Sequence, residues 1–256
     1  MELNEMNYYS LEANQAYWSV SQFKHFYKCE AQGLAEVNGE YERSETPSLL
    51  IGSYIDSYFS GDLDVFTEVH PEIFNSRTGE LKSDFKKADE IIARIERDPY
   101  FMSCLEGEKQ TIFTAELFGV QWKAKLDVYD GERIVDLKIV KDFDRIYEDG
   151  YGRRPWIEYW GYDIQGAMYQ KIVEANTGKK LPFYLAAATK ETIPDIQVIQ
   201  IPQAYLDGAA SLVEAFIERF DLIKSGYVEP RRCGRCDYCK RTKVLTGPVI
   251  YEREGD

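Results

Sequence analysis

The 256-residue chain is long enough for a substantial apolar core, and 44% hydrophobic with 14% aromatic residues exclude a disordered protein. No apolar run nears the ~20 residues of a membrane span, and the acidic start MELNEMNYYSLEANQ lacks the basic flank and apolar centre of a secretory signal. A cytoplasmic protein with reduced thiols is therefore expected, and a formal charge of −13 disfavours indiscriminate adhesion to nucleic acid, leaving local basic patches or bound cations as routes to DNA.

In chain order, Trp18–Val37 reads as one amphipathic helix capped near Ser19 or Ser21. Thr46-Pro47 is an N-cap with proline in the first turn, opening a helix that Gly61 closes. A charged helix over Ser83–Arg97 is stopped by Pro99. Three β-rich runs follow, QTIFTAELF, QWKAKLDVY and ERIVDLKIV, joined at Gly119-Val120 and Asp130-Gly131. A helix from Trp156 to about Ala175 ends at Gly178, then come the strand-like LPFYLAAATK and IQVIQI, and a helix from Gln203 to Lys224. This order predicts a mixed α/β (α+β) fold. With no repeat or flexible linker, one domain is expected: helices over 19–99, a core over 108–201, and a helix with a Cys-rich basic tail over 202–256.

The stretch VQWKAKLDVYDGERIVDLKIVKD carries charges where a hairpin would alternate apolar and neutral residues. With Asp130-Gly131 as a two-residue loop, Asp127 faces Ile134 and Lys125 faces Asp136, so Asp127, Asp136 and Lys138 share one face. Asp127 and Asp136 then lie on a diagonal of about 7–8 Å, close enough to converge on one hard cation such as Mg²⁺. Lys138 would hold or deprotonate a water, or balance charge building on a phosphate. A solvated face with weak charge pairing is the ordinary explanation of Asp-x-Lys. The second acid and the flanking Ile-Val pairs argue for burial instead, and a buried acid needs a reason.

In these motifs the chain resembles the PD-(D/E)xK nucleases of the RecB/RecE-like exonuclease group, above all the phage recombination exonucleases. The resemblance spans about Ser19 to Lys243 and implies a restriction-endonuclease-like core, a central mixed sheet flanked by helices. It implies that Asp127, Asp136 and the Leu137 carbonyl bind Mg²⁺ or Mn²⁺, with Lys138 catalytic. It further implies that Gln165 and Tyr169, the family's Gln-x-x-x-Tyr helix, act on the same DNA strand, with Tyr162 on the same face. Where the family has Gly-x-x-x-His, this chain has Gly52 and Asp56, an oxygen ligand in place of imidazole. Glu116 is a further candidate for the polar face. The implied activity is exonucleolytic hydrolysis at linear DNA ends, in phage recombination in a bacterial host cytoplasm, with an annealing protein or further copies of the chain as partners and no membrane. Alternatives are a CRISPR-adaptation type of nuclease, or a DNA-binding protein of the same fold with weakened turnover.

Cys233, Cys236 and Cys239 stand two residues apart in RRCGRCDYCKRTK. Three such thiolates with one remote cysteine form an iron–sulfur pattern, while structural zinc more often uses two separate pairs. The resemblance places Cys29 as the fourth ligand of a [4Fe–4S] cluster that ties the chain's two ends together, and a basic tail beside the DNA. The alternatives are Zn²⁺ in the same cage or reduced, unligated thiols, His25 is a conceivable substitute for Cys29, and Cys104 is expected to be a small core residue.

Overall fold

The computed structural model describes residues 1–44 and 46–248; residues 249–256 of the expected tail lie outside the described residues. The chain opens with α1 (Leu11–Ala16), α2 (Val20–Lys28) and α3 (Glu30–Val37). Ser19 does cap α2, in a reciprocal capping box with Gln22. The single helix expected over Trp18–Val37 is broken, however, because Cys29 is extended at φ −162°, ψ 107°. The break lets Glu30 receive a two-pronged hydrogen bond from Arg219, at 2.8 and 2.7 Å, and the Arg231 N–H at 2.7 Å. The start of α3 is thereby fastened to the tail.

Next come α4 (Pro47–Ser60), with Thr46 and Gly61 as its caps, α5 (Leu63–Val69), α6 (Ser83–Glu96) and α7 (Pro99–Cys104). The strands are β1 (Glu108–Leu117), β2 (Val120–Tyr129) and β3 (Ile134–Val140), then a small hairpin of β4 (Ile146–Glu148) and β5 (Gly152–Arg154) that sequence reasoning missed. The predicted helix from Trp156 is two pieces, α8 (Trp156–Tyr159) and α9 (Tyr162–Thr177), parted at Gly161 with φ +64°. β6 (Phe183–Thr189), β7 (Ile196–Gln200), α10 (Gln203–Lys224) and α11 (Asp237–Arg241) complete the order.

The main sheet runs β1-β2-β3-β6-β7, antiparallel except where β3 lies parallel to β6. α9 makes that crossover. Apolar side chains of α2, α9 and α10 bury one face of the sheet, and those of α4, α6 and α7 bury the other. This is the α/β core with a mixed central sheet and flanking helices that the sequence predicts.

Both expected turn registers need correction. Leu117 pairs with Val120, so the first turn is Phe118-Gly119, both at positive φ. Tyr129 pairs with Ile134 and Val128 with Val135, so the second loop holds residues 130–133 rather than two. Asp130 explains the longer loop: its Oδ1 accepts the N–H groups of Glu132 and Arg133, while its Oδ2 accepts Arg133 Nε at 2.8 Å.

Candidate active site and cysteine cage

The corrected register brings Asp127 level with Asp136 rather than diagonal to it. The β2–β3 ladder holds only the two pairs next to the loop, and beyond them the strands part. The Asp127 carboxylate fills the seam, with Oδ2 accepting the Leu137 N–H at 2.9 Å. The β1–β2 ladder also lacks its pair at Gln110 and Asp127, where Gln110 adopts φ +53°. Leu126 packs with one core cluster and Val128 with the other, so regular alternation fails at Asp127. The expected common face for all three residues is replaced by convergence at a split in the sheet.

Asp136 is 1% exposed and has Oδ1 fixed by Gln165 Nε2 at 2.7 Å. Its Oδ2 has no hydrogen-bond partner, although the Lys138 ammonium lies 2.5 Å away as an ion pair. That ammonium also donates to the Leu137 carbonyl at 3.1 Å and lies 3.8 Å from Asp127 Oδ2. A cation thus already rests among the three oxygens expected to hold one. Burial, against the pull of Lys138 and with the push of Asp127, raises Asp136 to about 7. Burial alone would lower Lys138, but Asp136 and Asp127 outweigh it and hold the lysine charged.

Asp56, on α4, lines the same cleft of about 370 Å³. Burial and then the Asp127 charge raise it to about 7. A buried acid facing another acid, and a buried oxygen served only by an ammonium, suit a divalent cation, and this all-oxygen donor set is the kind Mg²⁺ and Mn²⁺ accept. Gln165 and Tyr169 both reach the cleft from α9. The helix can lie that close because Gly166 faces Phe183: a Cβ there would meet the ring at 2.4 Å. Burial, then the Asp136 charge, pushes the Tyr169 phenol well above its usual range.

Two expected candidates sit elsewhere. Glu116 stands beside the β1–β2 turn, bonded to Gln121 Nε2 at 3.1 Å, because the true register carries it away from Asp127. His25 pairs with Glu36 and not with the thiols. Conversely, sequence reasoning passed over Tyr8, Tyr9, Lys123 and Lys125, all of which line the cleft. Lys123 is 1% exposed, donates to the Tyr8 carbonyl at 2.5 Å and Asn14 Oδ1 at 2.8 Å, and pins the N-terminal segment there. The alternation Lys-Ala-Lys-Leu-Asp before Asp127 was the available signal.

The four thiols of Cys29, Cys233, Cys236 and Cys239 lie within 4.8 Å of one another. Cys29 supplies its sulfur from the α2–α3 break, and Cys236 caps α11. Against burial, the N–H groups of Arg235 and Cys236 bring the Cys233 thiol down to about 6, whereas burial raises the thiols of Cys29 and Cys236. Cys104 is a buried core residue as expected.

A family model for a PDDEXK-like domain of unknown function matches residues 19–242. The chain belongs to this family. The PDDEXK-like chain is also similar to a solved structure from Eubacterium rectale described as a candidate exonuclease, at 50% identity and a TM-score of 0.93, covering 98% of this chain and 97% of that one. No curated protein matches this chain.

Proposed function

We propose that the protein is a divalent-metal-dependent nuclease that hydrolyses DNA from its ends. The observation that carries this reading is the Lys138 ammonium lodged among Asp136 Oδ2, the Leu137 carbonyl and Asp127 Oδ2. Asp127, Asp136 and Leu137, with Asp56 beside them, would hold Mg²⁺ or Mn²⁺. When bound, the metal supplies Lewis-acid polarisation of the phosphate and a more acidic water. Gln165 orients Asp136 through its 2.7 Å hydrogen bond, and Tyr169 lines the cleft one helical turn on. Lys138, displaced from the oxygens, would offset the charge that develops on the phosphate. The similar exonuclease-described structure supports action at ends, and the likeness to phage recombination exonucleases suggests resection before strand annealing.

The test is digestion of end-labelled linear duplex beside covalently closed circles, with Mg²⁺ or with EDTA. Loss of the linear DNA alone, and only with metal, is expected. Intact linear DNA under both Mg²⁺ and Mn²⁺, or equal cutting of circles, overturns the reading.

For the cage we propose a structural [4Fe–4S] cluster, supported by the one-plus-three cysteine pattern. The sulfur spacing favours a second reading. Cys29 and Cys233 lie 3.6 and 4.0 Å from the Cys239 sulfur, and a tetrahedral ion with Zn–S near 2.3 Å spaces its sulfurs about 3.8 Å apart. Iron, sulfide and zinc assays on anaerobically purified protein decide between them; none of the three overturns both.

A further inference from the structure

A second groove, of about 300 Å³, opens between α2 and the segment from β5 to α9. Lys24 and Lys28, one turn apart on α2, enter it. The Lys24 ammonium lies 5.5 Å from the centre of the Tyr162 ring, and Lys138 lies 5.7 Å from the same ring. Lys28 lies 5.6 Å from the Trp160 ring and 6.0 Å from that of Tyr159. Lys138, Tyr162 and Lys24 thus follow one another from the active site, and the bond of Lys24 to the Trp160 backbone joins them to the Trp160–Lys28 pair in one file.

The local geometry holds this file in place. Lys24 donates to the Trp160 carbonyl at 3.2 Å, and its stem passes over Gly161, where a Cβ would meet Cδ at 2.8 Å. The glycine therefore serves both the left-handed turn and the passage of the lysine. Trp160 remains 45% exposed, although an aromatic side chain of that size is ordinarily covered. Across the groove Tyr151 is 73% exposed beneath Arg154.

Three acids line the groove, Glu148, Glu158 and Asp163, and none lies within ion-pairing distance of Lys24 or Lys28. Glu148 is committed to Arg154 at 2.6 Å, which also donates to the Glu158 carbonyl. Burial raises the Asp163 carboxyl above its ordinary range, and its Oδ1 has no hydrogen-bond partner among the described residues. Lys24 and Lys28 have no ion-pair partner among the described residues. Burial and the nearby Lys138 lower Lys24 to about 8, a site that an anion would relieve.

Unpaired ammonium groups at one-turn spacing, about 6 Å of helix rise, beside the exposed Trp160 ring and the half-buried Tyr159 ring, match what a single nucleic-acid strand presents: repeating phosphates and unstacked bases. A duplex offers no free base faces to such rings. We infer that this file is a track for a single DNA strand leading from the active site, its phosphates on Lys24 and Lys28 and its bases on Trp160 and Tyr159. The inference rests on the nuclease reading and adds the strand state that the enzyme grips.

The experiment is fluorescence anisotropy of a labelled oligothymidine with the full chain in EDTA, so that binding is read without hydrolysis. Trp160→Ala should weaken binding about 5- to 150-fold, the loss of one base stack. Lys28→Ala should reduce the log–log salt slope by about 0.7, one phosphate contact to a single strand. Trp160→Phe should restore most of the affinity, separating stacking from misfolding, and a blunt duplex should be nearly indifferent to all three changes. Affinity within twofold of wild type in both alanine variants, or equal loss on the duplex, overturns the track. If such variants accompany a wild-type protein that still digests linear DNA, the track falls and the nuclease stands. If Trp160-dependent binding occurs without hydrolysis in any metal, the nuclease reading falls and the track stands.

Discussion

Exchanging Lys138 for methionine keeps the length of the side chain and removes its charge. In the metal-free protein that charge lies 2.5 Å from Asp136 Oδ2, which has no hydrogen-bond partner, and 3.8 Å from Asp127 Oδ2. Removing one partner of a buried ion pair costs about 3–5 kcal/mol. At 2–4 °C per kcal/mol for a chain of this size, the variant in EDTA near pH 8 should melt roughly 6–20 °C below wild type. Acid should narrow the gap. Asp136 is raised to about 7, above its unfolded value near 3.8. The stability due to its protonated form is therefore complete below the unfolded value and is lost as pH rises through 7. Without Lys138 the acid stays neutral, and the proton difference of this one group narrows the gap at pH 6 by about 1.4 kcal/mol, roughly 3–6 °C. Saturating Mn²⁺ at pH 8 should raise the variant's Tm more than the wild type's, because the ion replaces the ammonium on the same oxygens. Thermal scans at pH 6 and 8, with EDTA or Mn²⁺, read all of this. Equal melting in EDTA at pH 8, or equal metal-induced shifts, would refute the shared cation position.

Asp127→Ala and Asp136→Ala should abolish cleavage and calorimetric Mg²⁺ binding while the purified proteins remain folded by circular dichroism. Asp56→Ala should raise the Mg²⁺ requirement about tenfold yet leave the metal-free protein at least as stable, since a like charge near Asp127 is gone. An unchanged metal titration would make Asp56 a mere cleft wall. Gly166→Ala should cost about 1–3 kcal/mol by chemical denaturation, because its Cβ would meet the Phe183 ring at 2.4 Å. Serine at Cys29, Cys233, Cys236 or Cys239 should lower Tm and bound metal together, whereas Cys104→Ser should change Tm alone.

Most of the candidate site was legible in the sequence because its residues lie close together along the chain. Asp136 and Lys138 share a strand, Gln165 and Tyr169 share a helix face, and three of the four cysteines are nearly contiguous. Some of the departures arise where long-range contacts overrode local periodicity, others from local turn chemistry. The Trp18–Val37 pattern is helical throughout, yet Cys29 leaves the helix to serve the cage, and Glu30 takes Arg219 from 189 positions away. The hairpin miscount came from reading Asp-Gly as a tight turn when the Asp130 side chain makes a wider one. Lys123 and the two tyrosines near the N-terminus gave only a faint signal, since what makes them neighbours is the burial of a charge against remote backbone.

The parting of β2 from β3 also gives the molecule a built-in reporter. In a regular sheet the Leu137 amide would be protected by its neighbour's carbonyl and would exchange only when the strands separate. Here its protection depends on the carboxylate of Asp127, a group with other business. Whatever draws on that carboxylate will alter the amide's exchange rate with deuterated solvent without unfolding anything, while amides of the fully paired β3–β6 ladder stay slow. Isotope labelling of one backbone nitrogen would then follow occupancy of the site in real time, with no substrate present.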